Sequence, residues 1–109
     1  MKFAIVNGTL MTPHLTRAGG LLIQDGKIAA LLAPGEAPGE LPCVDAKGAY
    51  ILPGFVELHT HGAGGADFSD GGAAPFLQAA KTHLRHGVTA LAPTILACAP
   101  ARLQESLEA

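Results

Sequence analysis

Two of the five histidines stand two residues apart, in the run Pro53-Gly54-Phe55-Val56-Glu57-Leu58-His59-Thr60-His61-Gly62. The residues from Phe55 to His61 are largely apolar and β-prone, so they read as a strand, and strand side chains alternate between faces. His59 and His61 therefore project to one side, a few ångströms apart, while Leu58 and Thr60 turn to the other and face a helix layer. Two neutral imidazoles held in this way can bind one divalent ion without a loop having to order itself. Zinc is the first expectation, with iron, cobalt or nickel as alternatives. A His-x-His pair also arises on surfaces, solvated or bonded to carbonyls. This pair, however, ends an apolar strand and runs directly into Gly62-Ala63-Gly64-Gly65, a loop that lets backbone approach a ligand closely.

The other groups with chemical potential are weaker candidates. Glu57 shares the histidines' side by alternation, and reads either as a carboxylate that orients the metal site or as a structural residue bonded to backbone. His83 and His86 are spaced i, i+3 on an expected helix. His86 lies off its apolar stripe and His83 at the stripe's edge, which suits solvated cations at a helix C-terminus. His14 sits in a Pro-flanked turn and reads as a surface residue. Asp67 and Asp70 suit either a substrate contact or a cap on the helix that follows Asp70, capping being the simpler. Thr94 ends a strand and receives no role. Cys43 and Cys98 are too few and too far apart for a disulfide framework or a CxxC zinc site. They read as small apolar residues whose thiols stay reduced.

The elements that must position these residues are punctuated by 14 Gly and 8 Pro spread along the chain. In the first half, Lys2 to Val6 is a strand, Asn7-Gly8 a hairpin signal and Thr9 to Thr12 the returning strand. Gly20 to Gln24 and Lys27 to Leu32 repeat the device around Asp25-Gly26. A Pro/Gly-rich exposed loop from Ala33 to Glu40 follows, and Val44 to Leu52 has a hairpin-like pattern. The expectation is a small antiparallel sheet. At Pro53-Gly54 the pattern changes, with strands now alternating with helices. Phe55 to His61 is followed by an amphipathic helix from Ala73 to His86, in which Phe76, Leu77, Ala80 and Leu84 recur at helical spacing. Pro75 lies in the first turn and Gly87 ends the helix. Val88 to Thr94 is a second apolar strand, and Pro100 to Glu108 a second helix with Leu103 and Leu107 on one face. The order β-α-β-α indicates a parallel α/β layer.

Composition narrows the functional classes. The chain has 109 residues with 49% hydrophobic and 15% charged, which is material for one small domain at most and is not a disordered composition. A formal charge of -2 lacks the footprint of nucleic-acid binding. No stretch has the form of a signal peptide or the ~18 apolar residues of a spanning helix. The expectations are a cytoplasmic protein with no nucleic-acid and no membrane partner.

The run PGFVELHTHGAGGADFSD resembles the first barrel strand and following loop of the amidohydrolase superfamily. Together with HGVTALAPTI, it is similar to that superfamily's N-acetylglucosamine-6-phosphate deacetylases. FAIVNGTLMTP and LLIQDGKIAALL resemble the small β-sandwich that precedes the barrel in these enzymes, and VDAKGAYILPGFVELHTHG the passage between the two. The resemblance implies an α/β chain: the N-terminal part of a β-sandwich over residues 1–52, then the first two β/α units of a metal-dependent (β/α)8 barrel over 53–109, truncated. It implies that His59 and His61 are strand-1 metal ligands, in a site able to hold two metals. Glu57 departs from the Asp more usual in the superfamily. The implied reaction is hydrolysis of the acetamide of N-acetylglucosamine 6-phosphate to glucosamine 6-phosphate and acetate. The implied partner is that small-molecule amino-sugar phosphate, and the full-length enzyme is expected to be a homodimer. A barrel of this kind takes roughly 250 residues. The remaining ligands, the proton-transferring Asp and most sugar-phosphate contacts are then expected from later strands, none of the catalytic residues falls in this chain, and 109 residues alone should be inactive. Two alternatives remain. One is another metal-dependent amidohydrolase, dihydroorotase-, aminoacylase- or deaminase-like, since HxH does not choose the substrate. The other is a non-catalytic remnant serving as an interaction module.

Overall fold

The structure is a computed structural model that describes residues 1–36 and 38–109; Ala37, in the expected Pro/Gly-rich loop, lies outside the described residues. The chain divides into two compact units, Met1–Pro53 and Gly54–Ala109.

The first unit is built on one long strand, β1 (Lys2–Thr12). On one side β1 pairs antiparallel with β2 (Leu15–Gln24), from Lys2↔Gln24 to Thr12↔Leu15, and β2 pairs antiparallel with β3 (Lys27–Leu32). Asp25 and Gly26 take the turn between β2 and β3 with φ of 52° and 76°, the left-handed pair that a two-residue hairpin turn requires. On its other side β1 pairs in parallel with β4 (Cys43–Asp45) and with β5 (Tyr50–Ile51).

Two expectations are corrected here. Asn7-Gly8 is not a hairpin turn. β1 runs straight through it, and the register slips between Ile5 and Gly8. Asn7 adopts φ 57°, tolerable for Asn, as the extra residue of a bulge. Its Nδ2 donates to Asp45 Oδ1 at 3.1 Å and its carbonyl accepts from Gly48 N–H at 2.7 Å. The true reversal is at Pro13-His14, where His14 is exposed as expected. Nor do the residues from Val44 to Leu52 form a hairpin, because both short strands bond to β1 and not to each other, so the sheet is mixed. In each case β1 won the competition: a continuous strand satisfies backbone groups on both of its edges, which two shorter hairpins would leave open. The core of this unit contains Ala4, Leu10 and Leu32.

In the second unit β6 (Phe55–Thr60) and β9 (Val88–Pro93) form a two-stranded parallel sheet, as the β-α-β order implies. Between them come a short hairpin, β7 (Gly62–Ala63) with β8 (Ala66–Asp67), a 3-10 turn at Phe68–Asp70, and α1 (Ala73–Arg85). Gly87, at φ 88°, follows α1 in the left-handed form expected of it. α2 (Pro100–Leu107) starts on Pro100, as expected.

The helix faces differ from the periodicity reading. On α1 the buried residue is Ala79, with Phe76 and Ala80 half-buried, while Leu77 and Leu84 are exposed. Phe76 packs on the fully buried Phe68 with ring centres 4.7 Å apart. On α2 Leu103 and Leu107 are exposed, and Ser106 is buried instead, its Oγ bonded to Arg102 O at 2.9 Å. Leu58, expected to face the helix layer, is 76% exposed. An apolar stripe gives the period of a helix but not which neighbour is present to cover it. No helix among the described residues is long and apolar enough to cross a membrane.

Candidate metal site

The site begins where the ladder of β6 becomes irregular. Pairing with β9 slips between Phe55 and Val56 and again between Glu57 and Thr60, and the last partner is Pro93. Side chains take over part of the backbone bonding there. Glu57 Oε1 accepts the His59 N–H at 3.1 Å, which is the structural alternative expected for Glu57. The His61 carbonyl accepts from Phe68 N–H at 2.8 Å, and the Thr60 carbonyl from Thr94 N–H at 2.8 Å.

The alternation places the two imidazoles together, with ring centres 5.2 Å apart and planes at 88°. His61 Nδ1 lies 3.1 Å from the Thr94 carbonyl. A carbonyl only accepts, so Nδ1 carries a proton and Nε2 is the nitrogen left to face an ion, the arrangement common in metal-binding histidines. Two imidazoles bound to one tetrahedral ion through nitrogens at about 2.0–2.1 Å would have ring centres about 5 Å apart. The donor chemistry, tautomer and separation therefore fit a divalent ion. Among the described residues no third His, Cys, Asp or Glu joins them in a metal-holding group.

The remaining candidates fall elsewhere. Asp67 and Asp70 do cap, but they cap the 3-10 turn and not α1. Asp67 Oδ1 accepts from Ser69 N–H at 2.7 Å, and Asp70 Oδ2 accepts from Asp67 N–H at 2.9 Å. The N-cap of α1 is Gly72, with no side-chain bond. The backbone and side-chain bonds of Ser69 hold the Asp67 carboxyl below its ordinary 3.8, with His61 adding to this and burial opposing it. His86 is exposed at the end of α1, as expected. His83 is not fully solvated, as the sequence suggested; it is half-buried, with Nε2 3.1 Å from Thr60 Oγ1. Cys43 and Cys98 are free thiols, both exposed.

Sequence reasoning missed three supports. The Thr94 carbonyl orients His61, the Thr60 hydroxyl reaches His83, and Gln78 Nε2 donates to Gly64 O at 2.7 Å to hold the β7–β8 hairpin against α1. A backbone carbonyl carries no residue-type signal. Thr60 had one, a polar residue on the strand face expected to meet a helix.

No family model matches the chain. Among curated proteins it is 28% identical over 98 residues to the N-acetylglucosamine-6-phosphate deacetylase of Haemophilus influenzae, covering 88% of this chain and 26% of that protein. It is 39% identical over 64 residues to the dihydroorotase of Syntrophus aciditrophicus, covering 56% and 15%. These curated matches are amidohydrolase-superfamily members. Among solved structures, the N-acetylglucosamine-6-phosphate deacetylase of Pasteurella multocida superposes with a TM-score of 0.88 at 24% identity, covering 99% of this chain and 29% of that one. A Mycobacterium smegmatis N-acetyl-D-glucosamine-6-phosphate deacetylase variant, in complex with N-acetyl-D-glucosamine-6-phosphate, does so with a TM-score of 0.80 at 27% identity, covering 97% and 28%. The mixed α/β fold thus matches the N-terminal part of deacetylase structures. The chain spans 9% to 26% of the length of the curated relatives it matches.

Proposed function

We propose that this chain is the N-terminal portion of a metal-dependent, cytoplasmic deacetylase acting on N-acetylglucosamine 6-phosphate, with His59 and His61 as metal ligands. In this reading the first unit begins a β-sandwich and the second supplies the first two β/α units of a (β/α)8 barrel. One observation carries the substrate class: the likeness to the sugar-phosphate deacetylases extends over both units, 96% to 99% of the chain, while that to a D-hydantoinase structure covers 65%. A second reading, another amidohydrolase, draws on the higher identity of the shorter dihydroorotase match.

Within that reading the chain's residues bind and orient. His61 is fixed by its Nδ1–H on the Thr94 carbonyl, so its Nε2 lone pair is presented without rotational search. His59 stands edge-on beside it, its backbone held by Glu57. A divalent ion bound there would polarise an acetamide carbonyl and lower the pKa of a bound water toward about 7. The proton-transferring group belongs to later strands.

Metal analysis of the full-length protein tests the ligands. Replacing both histidines (His59→Ala with His61→Ala) should remove bound metal, and unchanged metal content would overturn their assignment. Kinetics test the substrate. Phosphate recognition supplies binding energy remote from the amide, so the free sugar should lose at least about tenfold in kcat/KM. Equal turnover of both sugars, or preference for dihydroorotate or an N-acyl amino acid, would sink the substrate while leaving the metal site. The same reading expects a homodimer, which sedimentation of the full-length protein checks.

A further inference from the structure

We propose that His83, on α1, is a positioning residue for the His59/His61 pair, acting through the hydroxyl of Thr60; the inference rests on the metal-site reading above. Thr60 is the residue between the two imidazoles in sequence, and it projects to the opposite side of β6. Its Oγ1 makes two contacts, one with the Gly62 carbonyl at 3.1 Å and one with His83 Nε2 at 3.1 Å. A hydroxyl has a single proton and a carbonyl can only accept. The assignment that satisfies both contacts has Thr60 donating to Gly62 O while His83 Nε2–H donates to Thr60 Oγ1.

The relay runs from a helix into the backbone on both sides of His61. Gly62 follows His61 directly and opens the β7–β8 hairpin. The Thr60 carbonyl accepts from Thr94 N–H, and the Thr94 carbonyl in turn holds His61 Nδ1. Thr60 is thus tied at its side chain to α1 and at its main chain to the residue that orients the ligand. The need for such a tie is local. The β6–β9 register slips between Glu57 and Thr60, so the ladder is interrupted at His59, just before Thr60. With the ladder interrupted there, side-chain bonds add to the backbone bonds in setting where His61 points. His83 is half-buried and its ring nitrogen meets that hydroxyl. A polar partner in such a place acts as metal-site supports do, by limiting the orientations a ligand can adopt.

The test uses the full-length protein freed of metal and titrated with Co²⁺, reading both affinity and the visible absorption of the bound ion. Thr60→Val keeps the shape of its residue and His83→Phe keeps a flat ring of slightly larger size, and each removes one end of the relay. Each should weaken Co²⁺ binding about tenfold, the lower end for a lost supporting contact, and change the Co²⁺ spectrum. The double variant should be no weaker than the single ones, because both break the same link. His83→Gln, whose amide N–H can reach the hydroxyl, should recover affinity and spectrum. In the unaltered protein, long-range nitrogen–proton NMR correlations should place the His83 proton on Nε2. Wild-type affinity and spectrum in His83→Phe and Thr60→Val, while His59→Ala fails to bind Co²⁺, would overturn the relay and leave the metal site standing. Unaltered Co²⁺ binding by His59→Ala would overturn the metal site and the relay with it. If His83→Phe does not fold, Thr60→Val and the NMR proton position still decide.

Discussion

Strands β1 and β6 are both apolar, and they are held in opposite ways. β1 has 11 residues and neighbours on both edges, β2 along one and β4 and β5 along the other, with one slip of register, at Asn7. β6 has six residues, one partner strand and two slips, and it ends opposite a proline. Around β1 the backbone supplies the order, and side chains mainly fill the core. Around the end of β6 the backbone ladder thins, and Glu57, Thr60, His83 and the Thr94 carbonyl share the positioning. A site that must present two imidazoles outward gains from this: side-chain bonds set a direction, whereas ladder bonds set only a register.

The comparison can be broken by substitution, and the largest effects should come from volume. Phe68→Ala removes a ring that is 1% exposed and packed on Phe76, and should cost the second unit about 3–5 kcal/mol. Leu10→Ala, at a residue 3% exposed, should cost the first unit about 2–5 kcal/mol. Denaturant unfolding read by hydrogen exchange checks both. Loss of protection spread evenly over both units by either variant would contradict two separately held regions.

Next in size is a backbone clash. A Cβ on Gly62 would lie 2.0 Å from the Ala66 carbonyl oxygen, at φ 156°, so neither neighbour can yield by rotating a side chain. Gly62→Ala should cost about 2 kcal/mol or more and loosen the β7–β8 hairpin. Gly26→Ala meets nothing within 4 Å, although its φ is 76°, and should cost only the left-handed penalty of about 1–2 kcal/mol. Thermal unfolding of the two variants ranks them, and the reverse order would count against the hairpin being a tight support of the site.

The bulge of β1 should be worth less. Asn7→Ala loses both the tolerance for φ 57° and the bond to Asp45, and should cost about 1–2 kcal/mol. Asn7→Gly should recover most of that, and equal losses would show that the Asp45 bond outweighs the backbone conformation.

The smallest effect concerns acid. The Asp67 carboxyl is held below its ordinary 3.8 by the Ser69 backbone bond first and its side chain second. A depressed folded value stabilises the folded state above the unfolded pKa, and that contribution disappears as pH falls through the lower folded value. Asp67→Asn should therefore be less stable than the parent at neutral pH, and the gap should close on descending below about pH 4, near the unfolded carboxyl value. A gap independent of pH would show that the cap works through shape and not through charge.

How much of this was legible in the sequence differs between the two regions. Asp25-Gly26 announced its turn because two adjacent left-handed residues are needed and those residues tolerate them. Asn7-Gly8 carries the same signal and does otherwise. A local preference worth about a kilocalorie per residue yields to a strand that can bond on both edges. Gly87 marked the end of α1, yet the stripe on α1 misjudged its buried face, because Leu77 and Leu84 have the right period and no neighbour over them.

The sequence by itself determined the composition of the site: His59 and His61 two residues apart on a strand, a glycine-rich loop behind them and a β-α-β order around them. Strand alternation is a property of the chain, so this needed no knowledge of what packs where. Only the tertiary structure decided which nitrogen of His61 carries its proton, because that depends on a carbonyl 33 residues away, and which side of α1 reaches back to Thr60. Backbone acceptors have no residue-type signature, and pairings between distant segments depend on the sum of many weak contacts, which no local window contains.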